Sequence, residues 1–288
     1  MKKLTAPEVT NADNLLDGAI ARKRILAYVN SLKANEAYIK SRYSDYENNL
    51  NRLEDISGSA IVSSDDHDAI HSMFTSSFIK NMKNNELAQV YQECAGVCPF
   101  CSTGKLEEID HYIPKEPYPE FTIYPLNLIP ICNKCNKKKG EMFIDASGQR
   151  YFINFYSDNI DNLMFLDVTI SFDCTDIVKT TKVSFMADFS KITDVYLRKI
   201  MERHYEKLEL LKKYSEAADE EVSDLFAILS HQDDNNKEEI KNAAFRVVIG
   251  KKNAQLSQAG RNDWKYLLYE EMIKVNYIDA LVDSICEE

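Results

Sequence analysis

Apolar and polar positions along the chain follow two different rhythms. Up to about residue 93 the rhythm is helical. Apolar side chains recur at Ile25, Leu26, Val29 and Leu32, which predicts a helix over residues 20–32. A second helix is predicted over about 34–56, because Tyr43, Tyr46, Leu50, Leu53 and Ile56 step by three and four. Gly58 and its neighbouring serines punctuate the chain. A third helix starts near Ser64 or Asp65 and buries Ile70, Met73, Phe74 and Phe78; a fourth covers about 85–93. Between residues 150 and 189 the rhythm shortens toward two. Tyr151, Ile153 and Phe155 then share one face of a strand, and the segments LMFLDVTISFD and TTKVSFMADF pair as a hairpin. From residue 191 the helical period returns. One long helix runs to about Tyr214, followed by helices near 218–230, 237–250 and 262–286.

The stretch 98–140 follows neither rhythm. It carries two Cys-x-x-Cys pairs, Cys98 with Cys101 and Cys132 with Cys135. Each pair sets two sulfurs on one tight turn, and four thiolates suit a tetrahedral structural zinc. A disulfide framework is the alternative, but the N-terminus lacks the apolar core of a secretory signal. A redox Cys-x-x-Cys is a further alternative. Cys94 reads as a packed thiol, and so does Cys174. Asp110, a hard oxygen ligand for Mg2+ or Mn2+, stands beside His111, a side chain suited to taking a proton near neutral pH. Asn136 adds a second oxygen donor at the start of a helix within 133–143, and 107–112 reads as a strand.

In this window of about 45 of 288 residues the chain resembles an HNH endonuclease of the ββα-metal type with a four-cysteine zinc. The HNH positions fall on His111, Asn127 and Asn136. Many family members carry His at the last of these; a subset carries Asn there with Lys three residues on, as Lys139 is here. The resemblance implies that His111 is the general base and that Asn127 braces the loop. It makes Asp110 and Asn136 the ligands of a catalytic Mg2+ or Mn2+, with Lys137, Lys138 and Lys139 approaching phosphate. The four cysteines are then structural, because a closed tetrathiolate leaves no position for substrate. The implied reaction is phosphodiester hydrolysis to a 3′-hydroxyl and a 5′-phosphate. The chain's size and its DH…LN…CxxCN order are also similar to HNH effectors of bacterial anti-phage systems of the Septu type, including retron-associated ones. These pair with an ATPase, although their tip is often Glu-His. A stand-alone restriction or phage-type HNH enzyme is the nearest alternative. A non-catalytic zinc module for assembly or nucleic-acid binding is the next.

Charge changes that picture. The net charge is −11, and residues 94–150 carry seven basic and seven acidic side chains. A protein acting alone on DNA usually has a basic surface, so weak intrinsic affinity and a protein partner are expected. DNA is the expected substrate ahead of RNA. No apolar run is long enough to span a membrane, no P-loop occurs, and a reducing cytoplasm is the expected setting. Asp65, Asp66, His67, Asp68 and His71 could bind a metal, but an acidic helix start is the plainer reading. Trp264, Tyr266, Tyr269 and Tyr277 read as core or interface, and His204 and His231 receive no role. The fold expected is α+β and mostly α. A helical region 1–93 comes first, then a nuclease unit with β extension 94–189, then a helical region 190–288.

Overall fold

The structure is a computed structural model describing residues 1–161, 163–173, 177–230 and 236–287. It is α+β and mostly helical, with two small sheets. Cys174 and His231 lie outside the described residues. The chain forms two compact units, one of Lys3–Phe100 with Gly104–Asn159, the other of Met1–Lys2, Cys101–Thr103 and Ile160–Glu288.

The first unit contains α1 (Ala12–Ala21), α2 (Leu26–Asn48), α3 (Ser64–His71), α4 (Ser76–Asn84), α5 (Ala88–Cys94), β1 (Glu108–His111), β2 (Leu128–Ile131) and α6 (Asn133–Lys139). The predicted helix 20–32 is corrected. The chain leaves α1 after Ala21, and Ile25 takes an extended conformation as the N-cap of α2. Ile25 and Leu26 are 57% and 72% exposed, and only Leu32 of that apolar series is buried. The predicted third helix is two helices, because Thr75 caps α4 by accepting the Phe78 amide at 3.2 Å.

α2 is the scaffold of the central loop. Tyr43 stacks on Tyr124 with ring centroids 4.3 Å apart, and Tyr46 meets Phe121 edge-on at 5.0 Å. One turn away, the buried Arg42 donates to Glu120 Oε1 at 2.8 Å. β1 and β2 pair antiparallel, with Asp110 opposite Ile129 and His111 opposite Leu128. The unit closes where the Leu4 amide donates to the Phe155 carbonyl at 2.8 Å. Residues 151–155 form no strand, contrary to their alternation. Asn154 turns the chain instead: its Oδ1 accepts the Tyr156 amide at 2.9 Å, and its own amide donates to Asp158 at 2.8 Å. Arg150, fully buried, pairs with Asp158 at 2.7 Å and Glu54 at 3.0 Å and donates to the Tyr112 hydroxyl at 2.9 Å.

The second unit holds β3 (Leu166–Ser171), α7 (Ile177–Thr180), β4 (Lys182–Ala187), α8 (Val195–Leu208), α9 (Leu210–Ser230), α10 (Lys237–Ala259), α11 (Trp264–Lys274) and α12 (Tyr277–Glu287). β3 and β4 form the anticipated hairpin, from Leu166 opposite Ala187 to Ser171 opposite Lys182. Two predicted long helices are each broken by a left-handed residue: Glu209, at φ 53°, separates α8 from α9, and Asn276, at φ 54°, separates α11 from α12. Trp264, Tyr266, Tyr269 and Tyr277 are buried, Trp264 stacking on Tyr214 at 6.1 Å. The expected three-part division at 93/94 and 189/190 differs from these units. The N-terminal helices belong with the cysteine-rich stretch apart from Cys101–Thr103, through pairs such as Arg42–Glu120. The hairpin belongs with the C-terminal helices, through Phe185 against Tyr214 at 5.7 Å.

Candidate metal and catalytic site

The four cysteines of the two CxxC motifs come together. Cys98, Cys101, Cys132 and Cys135 are all buried, and their sulfurs lie within 4.8 Å of one another. No disulfide joins them. A left-handed turn at Ala95 and Gly96 leads into the first pair, and the Cys98 amide donates to the Gly104 carbonyl at 2.8 Å. Cys132 caps α6, its sulfur accepting the Cys135 amide at 3.4 Å. Four convergent thiols with no water-facing side fit a structural zinc. Cys94 is buried and is not part of this cluster.

β1 separates the remaining candidates by face, since successive side chains alternate. Ile109 and His111 are buried, while Glu108 and Asp110 are half-buried on the other side. The His111 ring packs on Phe74 at 4.6 Å and is 7% exposed. Its Nε2 lies 2.8 Å from the Thr122 carbonyl oxygen. A carbonyl only accepts, so Nε2 carries the hydrogen and Nδ1 keeps its lone pair. Burial lowers the imidazolium pKa to about 3 against the opposing pull of that carbonyl, and the charges of Lys115, Lys139 and His71 lower it further. The ring is therefore neutral at physiological pH.

Asn127, fully buried, ties three segments together. Its Nδ2 donates to the Ile113 carbonyl at 3.0 Å and the Phe121 carbonyl at 3.3 Å, and its Oδ1 accepts the Ile113 amide at 2.7 Å. Tyr46 of α2 adds a hydroxyl to the same oxygen at 3.3 Å. The Phe121 carbonyl, next to Thr122, the partner of His111, is held in this way.

On the opposite face Asp110 meets Lys139, whose ammonium is 2.8 Å from Oδ2. That oxygen has no aligned hydrogen bond, so the contact is an ion pair held by charge. Burial raises the Asp110 pKa, opposed by Lys139 and by the His111 amide. Asn136 donates its Nδ2 to Glu108 Oε2, and Asn133 donates to Glu108 Oε1 at 2.7 Å. These two amides lower the Glu108 pKa. One sequence expectation changes here. Lys139 is 1% exposed and donates to the His111 carbonyl at 2.8 Å, so it faces the protein rather than a phosphate. Lys134 and Lys137 are exposed and Lys138 is half-buried.

Among the described residues, two groups of three or more His, Cys, Asp or Glu ligand atoms converge: the four cysteines, and His67 with His71 and Glu116. Asp110 and His111 belong to neither. Sequence reasoning placed His67 and His71 on one helix face but missed Glu116, which lies in a different segment. It also missed Glu108, whose only signal was its position two residues before Asp110 on the same strand face.

Comparisons with known proteins give partial matches. No protein-family profile matches the chain. The chain is 48% identical over 48 residues to the protein ea31 of Escherichia phage lambda, covering 16% of each chain. It is 39% identical over 59 residues to the Septu protein PtuB of Bacillus thuringiensis, covering 20% of this chain and 21% of that one. The match thus spans about a fifth or less of either relative. No solved structure matches. The buried tetrathiolate and these partial similarities fit a zinc-binding, HNH-like protein.

Proposed function

We propose that this chain is a metal-dependent HNH-type endonuclease that hydrolyses phosphodiester bonds, DNA ahead of RNA, as an anti-phage effector acting with an ATPase partner. The observation that carries the catalytic reading is the hydrogen bond from His111 Nε2 to the Thr122 carbonyl. It sets the tautomer in which Nδ1 is the proton acceptor, the position a general base uses, while burial weakens its basicity. Asn127 acts as the positioning residue, holding the backbone that holds His111. The partial similarity to a Septu protein supports the setting in defence. The similarity to a phage protein supports the alternative of a stand-alone phage-type enzyme.

The donor set on the other face of β1 fits a hard divalent ion, Mg2+ or Mn2+. Asp110 offers a buried carboxylate oxygen without an aligned hydrogen bond. Asn136 has its amide nitrogen engaged by Glu108, which leaves Oδ1 as a donor. Lys139 now neutralises Asp110, and its ammonium and an incoming cation compete for one carboxylate. When bound, the ion supplies electrostatic stabilisation of charge developing on the phosphorane and leaving oxygen. On this reading Lys137 and Lys138, on the same short helix as Asn136, contact the substrate backbone.

The second reading, a zinc-stapled assembly or nucleic-acid-binding module, draws on the packing of His111 against Phe74 and on the Asp110–Lys139 pair. His111→Ala decides between them. Mg2+-dependent cleavage by the parent chain with its partner, lost in the variant while zinc content is unchanged, supports the enzyme. Equal cleavage by both removes His111 from the mechanism, and no cleavage by either favours the module.

A further inference from the structure

We propose that His67, His71 and Glu116 form a second metal site, for a borderline divalent ion of the Zn2+ class. It is separate from the four cysteines and independent of whether the chain cuts nucleic acid. One ligand atom from each of the three residues lies within 4.8 Å of the other two. His67 and His71 sit four apart on α3 and so share one helix face, with ring centroids 5.7 Å apart. The HExxH zinc helix uses the same spacing.

Both imidazoles are held through Nε2. His67 Nε2 is 3.0 Å from the Ile61 carbonyl oxygen, and His71 Nε2 is 3.1 Å from the Lys115 carbonyl oxygen. Each carbonyl can only accept, so each Nε2 carries the hydrogen, and in the neutral ring Nδ1 keeps its lone pair. Metal-bound histidines characteristically donate their second ring nitrogen in this way, which fixes tautomer and ring angle. The third ligand is the side chain that follows Lys115. His71 Nδ1 lies 3.8 Å from Glu116 Oε1, too long for a hydrogen bond. Two ligands on one tetrahedral zinc stand about 3.4 Å apart, given metal–ligand distances near 2.1 Å. A small closure of the exposed Glu116 side chain brings the pair to that spacing.

Two nitrogens and one carboxylate oxygen exclude a preference for Mg2+ or Ca2+, which take all-oxygen sets, and suit Zn2+, Co2+ or Ni2+. Three protein ligands leave a position for water. The plainer reading of this segment, an acidic helix start, holds for Asp65 and Asp66 in the first turn of α3, but it does not involve Glu116. Ser63 makes no side-chain cap bond, and Asp66 instead accepts the Ser31 hydroxyl. Occupancy would clamp residues 115–116 to α3, directly beside the segment that ends in Phe74, the ring packed on His111.

The test uses the full chain carrying one equivalent of zinc, which the four cysteines take. Zn2+ is then titrated by calorimetry, with metal content checked by elemental analysis. The expected result is a second equivalent bound by the parent chain, absent in the H67Q/H71Q double variant and at least tenfold weaker in E116Q. All three proteins should melt alike with one zinc bound. A second equivalent taken up equally by parent and variants overturns the site, as does no second uptake by the parent. E116Q alters an exposed side chain, so it keeps the test decisive if the double variant folds poorly.

Discussion

Lys139 holds its ammonium 2.8 Å from both Asp110 Oδ2 and the His111 carbonyl, with 1% of its surface exposed. Removing one partner of a buried pair leaves an uncompensated charge and costs about 3–5 kcal/mol. Lys139→Met should lower stability by that order in urea denaturation. If Asp110 is a cation ligand, Mg2+ should recover more of the loss in the variant than it adds to the parent chain; equal Mg2+ responses would remove Asp110 from the ligand set. The burial of Lys139 was not legible in the sequence, where the run of three lysines reads as approaching phosphate. It follows from α6 starting at Cys132, which turns one lysine of the three back toward β1. The cysteines were legible because Cys-x-x-Cys geometry is local. Glu116 was not, because its histidine partners lie 45 residues or more earlier in the chain and only the tertiary fold joins them.

At the scale of elements, the boundaries that sequence periodicity missed share a cause. Glu209 and Asn276 take left-handed conformations with no Gly or Pro to announce them, so the apolar rhythm continues while the axis changes direction. Residues 151–155 alternate like a strand, but the buried Arg150 and the Asn154 turn claim the backbone that a strand would pair. The hairpin of β3 and β4 was legible because period-two burial and pairing agree there.

The helices α9, α10 and α11 meet at Glu221, which pairs with Lys251 and Lys265 at 2.6 Å each and accepts the Tyr269 hydroxyl. Desolvation raises its pKa, but these three donors outweigh it and bring the value down to about 2. A carboxylate depressed below its unfolded value near 4.3 stabilises the fold above that pH. The stabilisation is lost as pH falls from about 4.3 toward 2. Glu221→Gln should therefore melt at lower temperature at pH 7. Its stability should also decline less steeply than the parent's across that acid window, as followed by circular dichroism.

For the whole molecule, a net charge of −11 sets the terms of any encounter with nucleic acid. On the proposed nuclease reading, the cations offered to phosphate are Lys134, Lys137 and Lys138 of α6, exposed or half-buried. Each phosphate neutralised contributes about −0.9 to the slope of log affinity against log salt for duplex DNA. The isolated chain should bind duplex weakly, with a slope of about −3 by fluorescence anisotropy. A slope twice as steep would reveal a basic surface elsewhere and would remove the need for a partner in binding. No helix among the described residues is long and apolar enough to cross a membrane.

The bond from the Leu4 amide to the Phe155 carbonyl joins the start of the chain to a segment made after all four cysteines. Every thiol of the tetrathiolate precedes Phe155 in the chain, the last of them, Cys135, by twenty residues. At about 5–20 residues per second, the nascent chain presents all four sulfurs for about 1–4 s before the segment that shuts the unit leaves the ribosome. A zinc ion held by these four sulfurs would reach them most readily at that stage, because the folded chain buries all four.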